Sequence, residues 1–138
     1  MIRNLSNGIK NIRGYKVGLV DERSEIAGCF LGVPQKDVGI RTDVLDACPK
    51  AQGMIMLLRS MSPEIIAVDE IGSIEDAEAI EDAVNSGVKV IATVHGNSIE
   101  EMERRKGVKE LIENNAVERI VILSRKNGPG TVEKIINL

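Results

Sequence analysis

Unbroken runs of aliphatic residues alternate along the chain with segments whose apolar residues recur at helical spacing. Four such runs, around Val17, Ile66, Val90 and Val121, predict strands that are buried in one sheet. Helical spacing predicts helices over residues 1–9, 51–61, 73–85, 98–106 and 108–115. Because strands and helices alternate, we predict an α/β fold with a mostly parallel sheet flanked by helices.

Two segments depart from this alternation. Residues 25–41 are irregular, since three glycines and Pro34 interrupt them, and a loop of this length is often functional. Thr42 and Asp43 are typical helix-capping residues, so a short helix is predicted to follow the loop. Residues 131–136 are predicted to return antiparallel to residues 119–124, which gives a carboxyl-terminal hairpin at one edge. No linker or repeat divides the chain, and residues 1–138 are predicted to be a single domain.

Composition narrows the range of functions. Hydrophobic residues make up 43% of the 138 residues but aromatic residues only 1%, so the core must be aliphatic. Few aromatic rings and a net charge of −3 argue against nucleic acid as a partner, because nucleic-acid surfaces are usually basic and stack bases on rings. Cys29 and Cys48 show no metal-ligand spacing, which favours reduced thiols in the cytoplasm. No apolar stretch approaches the roughly 20 residues of a membrane span.

The chemistry of the chain centres on residues 63–72, which read PEIIAVDEIG. An apolar run suited to a buried strand ends directly in Asp69 and Glu70. In a parallel sheet these carboxylates would lie at the carboxyl edge, where ligands bind in open α/β folds. This is the pattern of a Walker B segment, in which the first acid holds Mg²⁺ through water and the second acts on the attacking water. The simpler interpretation is a buried strand followed by a solvated acidic turn.

Two further strand ends carry polar residues. The strand at Val17 ends in Asp21 and Glu22, and the strand at Val90 ends in Thr93, with His95 just beyond. Because carboxyl ends of parallel strands meet at one edge, these side chains are predicted to lie near Asp69 and Glu70. His95 would then contact the γ-phosphate or stabilise charge. Asp21 capping the next turn and His95 packing after a strand are the simpler alternatives, and a metal site built from His95 and the carboxylates is a third.

One part of a nucleotide site is missing from the sequence. The chain contains no segment of the form G-x-x-x-x-G-K-[ST], whose backbone amides and lysine hold the β- and γ-phosphates in P-loop proteins.

Four segments together resemble one protein family. They read GYKVGLVDERSEIAG, GVPQKDVGIRTDVLDACPKAQGM, LLRSMSPEIIAVDEIG and KVIATVHG. The chain resembles the stage III sporulation protein AA family, RecA-like P-loop ATPases of endospore-forming bacteria that are similar to the hexameric ATPases of type II and type IV secretion. The resemblance implies a Walker B pair, an acidic box, a histidine box, an arginine before Walker B and a weaker phosphate or intersubunit arginine. The implied Walker B pair is Asp69 with Glu70, and the implied acidic box is Asp21, Glu22 and Glu25. The histidine of the histidine box is His95, the arginine before Walker B is Arg59, and the weaker phosphate or intersubunit arginine is Arg41.

The same resemblance predicts what the chain lacks. In the family, the Walker A loop and its helix precede the strand at Val17, and MIRNLSNG resembles the last turns of that helix. We therefore expect a carboxyl-terminal piece of a RecA-like ATPase core without the P-loop strand, which binds Mg·ATP weakly and hydrolyses little. An in-frame phosphate loop encoded upstream of Met1 would support this expectation.

For the full-length protein, the resemblance implies a hexamer in the mother-cell cytoplasm. It would be held at the membrane by membrane-embedded sporulation channel proteins and would power a channel between mother cell and forespore. The alternatives are a non-catalytic interaction domain that keeps a Walker B-like strand, and a metal-dependent phosphohydrolase using Asp21, Asp69, Glu70 and His95.

Overall fold

The computed structural model describes all residues, 1–138. Six strands and five helices follow one another along the chain. The strands are β1 (Val17–Asp21), β2 (Thr42–Asp46), β3 (Ile65–Val68), β4 (Lys89–Ala92), β5 (Arg119–Ser124) and β6 (Thr131–Asn137). The helices are α1 (Ile2–Asn7), α2 (Lys50–Met61), α3 (Ile74–Asn85), α4 (Ile99–Met102) and α5 (Lys106–Glu113).

Four strands form a parallel sheet in the order β2-β1-β3-β4. The two central strands, β1 and β3, are buried along their whole length, as continuous aliphatic runs require. The register aligns Val20 of β1 with Val68 of β3, and Val68 with Ala92 of β4. The strands therefore end level with one another, and the residues that follow them share one edge.

Side chains of β1 alternate between two cores, because successive residues of a strand point to opposite faces. Val20 and Ile66 pack with residues of α2, α3 and α5 on one face. Val17 and Leu19 pack on the other face, where α1 and the segment after β1 cover them. The sheet is thus covered on both sides, which confirms the predicted α/β class with its flanking helices.

Two helices begin and pack in ways that the sequence explains. The Ser73 hydroxyl accepts the Asp76 N–H, and the Asp76 carboxylate accepts the Ser73 N–H, which forms a capping box at the start of α3. Gly107, in the first turn of α5, lies so close to this start that a Cβ there would overlap the carbonyl oxygen of Ser73. The absence of a side chain at Gly107 lets α5 pack against α3.

The structure corrects two predictions. Residues 42–46 form β2 rather than a capped helix, because β1 offers them a free edge with which Thr42 pairs opposite Val17. The strand around Val121 lies outside the parallel sheet, because β5 pairs only with β6. The predicted antiparallel hairpin is confirmed, but it forms a separate two-stranded sheet instead of an edge of the larger one.

The hairpin exposes an apolar face. Val121 pairs opposite Ile135 and Leu123 opposite Val132, so these four side chains share one face, and all four are exposed. No helix of the chain has the length and apolar character that crossing a membrane requires.

Candidate functional site

The carboxyl edge of the parallel sheet brings together the acids that follow β1 and β3. Since Val20, Val68 and Ala92 are in register, the next residue of each strand, Asp21, Asp69 and Thr93, lies at the same level. The predicted convergence of these strand ends is confirmed.

Glu70 and Ile71 are held by Thr93, the residue that follows β4. The Glu70 N–H donates to the Thr93 hydroxyl at 2.9 Å, and the Ile71 N–H donates to the Thr93 carbonyl, also at 2.9 Å. Glu70 adopts a left-handed backbone with φ of 36°, which is uncommon for a residue other than glycine. Residues held in such conformations concentrate at functional sites. Thr93 thus fixes the turn that presents the acid pair.

The Asp69 carboxylate has no hydrogen-bond partner although it is buried. The residue is 7% exposed, and neither carboxylate oxygen accepts a hydrogen bond. A buried carboxylate without partners is costly, so this side chain is poised to interact with a further polar group or ion.

Arg23 contacts both acids. Its guanidinium pairs with Glu70, and its Nε lies 3.9 Å from Asp69 Oδ2. No role was predicted for Arg23 from the sequence. The only signal for it was a cation among the acids that follow β1.

Asp21 shapes the loop that carries Arg23. Its carboxylate is fully buried and accepts the backbone N–H groups of Glu25, Ile26 and Ala27 at 2.9, 3.0 and 2.7 Å. This is the capping role that the sequence left open for Asp21. A direct contact of Asp21 with a nucleotide stays a prediction.

A cleft of about 420 Å³ opens beside the acid pair. Glu22 pairs there with Lys50, the first residue of α2, and Arg105 reaches in from the start of α5. Glu25 is exposed, and its carbonyl accepts a hydrogen bond from Lys36. The cleft therefore presents three cations, Arg23, Lys50 and Arg105, beside its carboxylates.

His95 is exposed two residues beyond Thr93. Its backbone carbonyl accepts a hydrogen bond of 2.6 Å from Arg105, which ties the segment after β4 to the cleft. The predicted role of its imidazole stays a prediction.

Arg59 and Arg41 lie at the opposite edge of the sheet. Helix α2 starts beside Glu22, and Met61 at its far end accepts a hydrogen bond from Lys16, which precedes β1. Arg59 is therefore roughly 13 Å along the helix axis from Lys50, and Arg41 immediately precedes β2. Within one chain, neither arginine is brought to the acid pair.

The acid pair fits Mg²⁺ better than a metal held by protein ligands alone. The structure contains no group of three or more His, Cys, Asp or Glu side chains placed to hold a metal ion. The proposed set of Asp21, Asp69, Glu70 and His95 is therefore not assembled. Mg²⁺ usually keeps several waters and takes one or two carboxylates together with substrate phosphates. The unpartnered oxygens of Asp69 suit that arrangement.

Comparison with known proteins identifies the family and the fold. All residues, 1–138, match the sequence profile of the family described as Sporulation stage III, protein AA. Over 135 residues the chain is 53% identical to stage III sporulation protein AA of Bacillus subtilis (strain 168), covering 98% of this chain and 44% of that protein.

Two plant and algal proteins are more distant relatives. The Arabidopsis thaliana protein SEEDLING PLASTID DEVELOPMENT 1 is 27% identical over 138 residues, which is 99% of this chain and 20% of that protein. The uncharacterized protein ycf45 of Porphyra purpurea is 27% identical over 113 residues, which is 80% of this chain and 20% of that protein. The chain thus spans less than half the length of these relatives.

Among solved structures, the Legionella pneumophila ATPase DotB shares the fold. The TM-score is 0.54 at 19% identity, over 86% of this chain and 35% of DotB. The arrangement of a mostly parallel sheet with flanking helices fits a RecA-like α/β fold. The chain belongs to the family Sporulation stage III, protein AA, and has a RecA-like α/β fold.

Proposed function

We propose that this chain supplies the magnesium-binding and water-orienting part of an ATPase site in a sporulation motor. The observation that carries the proposal is the acid pair at the carboxyl end of β3, in which buried Asp69 lacks any hydrogen-bond partner and Glu70 is fixed by Thr93. The fold shared with the ATPase DotB supports the same function.

Each residue of the edge has a separate task in this proposal. Asp69 would hold Mg²⁺ through an ordered water, and Glu70 would orient the water that attacks the γ-phosphate. Thr93 keeps the backbone of Glu70 in place, since its hydroxyl accepts the Glu70 N–H. Mg²⁺ bound with ATP supplies positive charge that stabilises the phosphoryl oxygens in the transition state. His95 would contact the γ-phosphate from the end of β4.

The setting of this activity belongs to the proposal as well. The full-length protein would act as a hexamer in the mother-cell cytoplasm and would power a channel to the forespore through membrane-embedded partners. Arg59 and Arg41, which lie far from their own acid pair, would act across the subunit boundary of such a hexamer. Family membership and the fold of DotB support this setting.

A non-catalytic interaction domain is the second candidate. The exposed apolar face of the β5–β6 hairpin favours it, because exposed apolar patches commonly mark interaction sites. Binding of a sporulation partner through this face, with no ATP turnover in the full-length protein, would support this candidate over the first.

The first test compares ATP hydrolysis in two proteins. The isolated chain, which has no G-x-x-x-x-G-K-[ST] segment, is expected to hydrolyse ATP no faster than its Glu70→Gln variant. In the full-length protein, Glu70→Gln is expected to lower kcat for ATP by about 100-fold or more while ATP still binds, because a positioned base contributes factors of that size.

The matched control is Glu75→Gln, which changes an exposed glutamate in the first turn of α3 and is expected to leave kcat unchanged. Equal hydrolysis by the wild-type and Glu70→Gln full-length proteins would contradict the proposed function.

A further inference from the structure

Arg23 lies beside both carboxylates of the acid pair. Its guanidinium pairs with Glu70 and lies near Asp69 Oδ2, at 3.9 Å, which is beyond hydrogen-bond range. The buried oxygens of Asp69 therefore interact electrostatically with Arg23 but accept no hydrogen bond from it. A positive charge already lies between the two carboxylates.

The backbone beneath Arg23 is fixed by hydrogen bonds, whereas its side chain is held only by the acid pair. On one side, the Asp21 carboxylate holds the N–H groups of residues 25–27, and the Ser24 hydroxyl donates to Asp46. On the other side, Asp21 itself ends β1. The Arg23 side chain is half-exposed, so it can leave the acids toward solvent without disturbing the core.

We propose that Arg23 is a built-in counter-cation, which pairs with Glu70 and Asp69 in the metal-free protein and which a divalent cation must displace. This inference rests on the proposed function, because it assigns a regulator to the same acid pair. Guanidinium and metal compete for the same carboxylates, and the Glu70 oxygen bonded to Arg23 cannot orient a water. Arg23 thus disfavours binding of the metal ion by itself. A metal ion that arrives with enough further ligands displaces Arg23 from the two carboxylates.

The experiment titrates the isolated chain with Mn²⁺ as a paramagnetic substitute for Mg²⁺. Broadening of backbone amide NMR signals near Asp69 and Glu70 reports the bound metal, and the readout requires neither ATP nor activity. Arg23→Gln is expected to bring the Mn²⁺ midpoint down by about tenfold relative to the wild type, the size of effect that a half-exposed charge near two carboxylates allows. Arg23→Lys keeps the charge and is expected to give a midpoint near that of the wild type.

Two controls separate competition from other effects. Arg125→Gln removes one exposed positive charge from the turn after β5, and its midpoint is expected to match the wild type. Asp69→Asn is expected to abolish the broadening in both the wild-type and Arg23→Gln backgrounds.

An unchanged or higher Mn²⁺ midpoint in Arg23→Gln would overturn the proposal, as would equal lowering by Arg125→Gln. Failure of the chain's full-length form to hydrolyse ATP would contradict the proposed function but would leave the Mn²⁺ comparison intact. If Arg23 had only a structural role, Arg23→Gln would damage the site and weaken metal binding. The Mn²⁺ midpoint would then rise, which is opposite to the change that the proposal predicts.

Discussion

Glu64 lies at the amino-terminal edge of the sheet, just before β3, where Arg13 donates to both of its carboxylate oxygens. The Lys16 N–H donates to the same carboxylate at 2.9 Å. These hydrogen bonds, with that from Arg13 as the larger cause, lower the pKa of Glu64 from 4.5 to about 2. Arg13 also stacks over Tyr15 at 5.2 Å. The cluster fastens the segment before β1 to the start of β3.

The lowered pKa predicts a defined dependence of stability on pH. Because the folded state holds the proton less tightly than the unfolded state, Glu64 contributes stability above about pH 4.5, which is lost as the pH falls toward 2. The free-energy difference between the wild type and Glu64→Gln is expected to be largest above pH 4.5 and to shrink below it. Urea unfolding of both proteins across this range measures the difference.

Glu133→Gln, which removes an exposed carboxylate of β6, is the matched control for this titration. A constant difference between the wild type and Glu64→Gln from neutral pH to pH 2 would contradict the prediction.

At the residue scale, the sequence revealed the acids but not what they contact. Asp69 and Glu70 stood out because a strand pattern leads directly into them. Arg23 did not, because the ion pair joins residues that are 47 positions apart and only the parallel pairing of β1 with β3 brings them together. The two roles weighed for Asp21 could not be separated either, since its capping partners belong to an irregular loop.

At the scale of elements, the junction of α3 and α5 depends on a missing side chain. Gly107→Ala would place a Cβ against the Ser73 carbonyl oxygen, on backbone that the capping box holds in place. The variant is expected to lose about 1–3 kcal/mol of unfolding free energy, since forced repacking outweighs the gain in helix propensity of about 1 kcal/mol. Urea unfolding at neutral pH measures the loss.

Gly72→Ala is the comparison variant, because the nearest atom to its added Cβ would be Arg105 Nη1 at 3.8 Å. It is expected to be nearly neutral. A Gly107→Ala protein as stable as the wild type would show that α5 can move away from α3 at no cost.

Local sequence patterns predicted whether a segment is a helix or a strand. They did not predict which other strand it pairs with. The runs at β1, β3 and β4 and the periods of α2 and α3 were enough to place these elements within a few residues. The helix predicted at residues 42–46 was wrong. Thr42 and Asp43 favour a helix cap locally, whereas pairing with β1 makes the segment a strand. For β5 the strand prediction was correct, but an apolar run does not record which sheet it joins.

At the scale of the molecule, the chain contains two sheets that differ in how far other elements cover them. The four-stranded sheet has helices or loops on both faces, whereas the β5–β6 hairpin pairs only with itself and exposes an apolar face. Two-stranded hairpins are marginally stable unless other elements pack on them. The two sheets are therefore expected to open with different free energies.

Native-state hydrogen exchange tests this expectation. Amides of β1 and β3, such as Leu19 and Ile66, are expected to exchange at least about tenfold more slowly than those of Ile122 and its neighbours in the hairpin. Equal protection across both sheets would show that the hairpin unfolds only with the rest of the chain.

The backbone of Glu70 has a consequence for how this sequence can change. At a φ of 36°, glycine is the residue without a steric penalty, whereas a residue such as glutamate costs about 1 kcal/mol. One nucleotide substitution converts either glutamate codon into a glycine codon, so a single mutation reaches the residue with less backbone strain. Glu70→Gly would therefore ease the backbone strain and remove the acid in one step, which separates the stability of this turn from the use of its carboxylate.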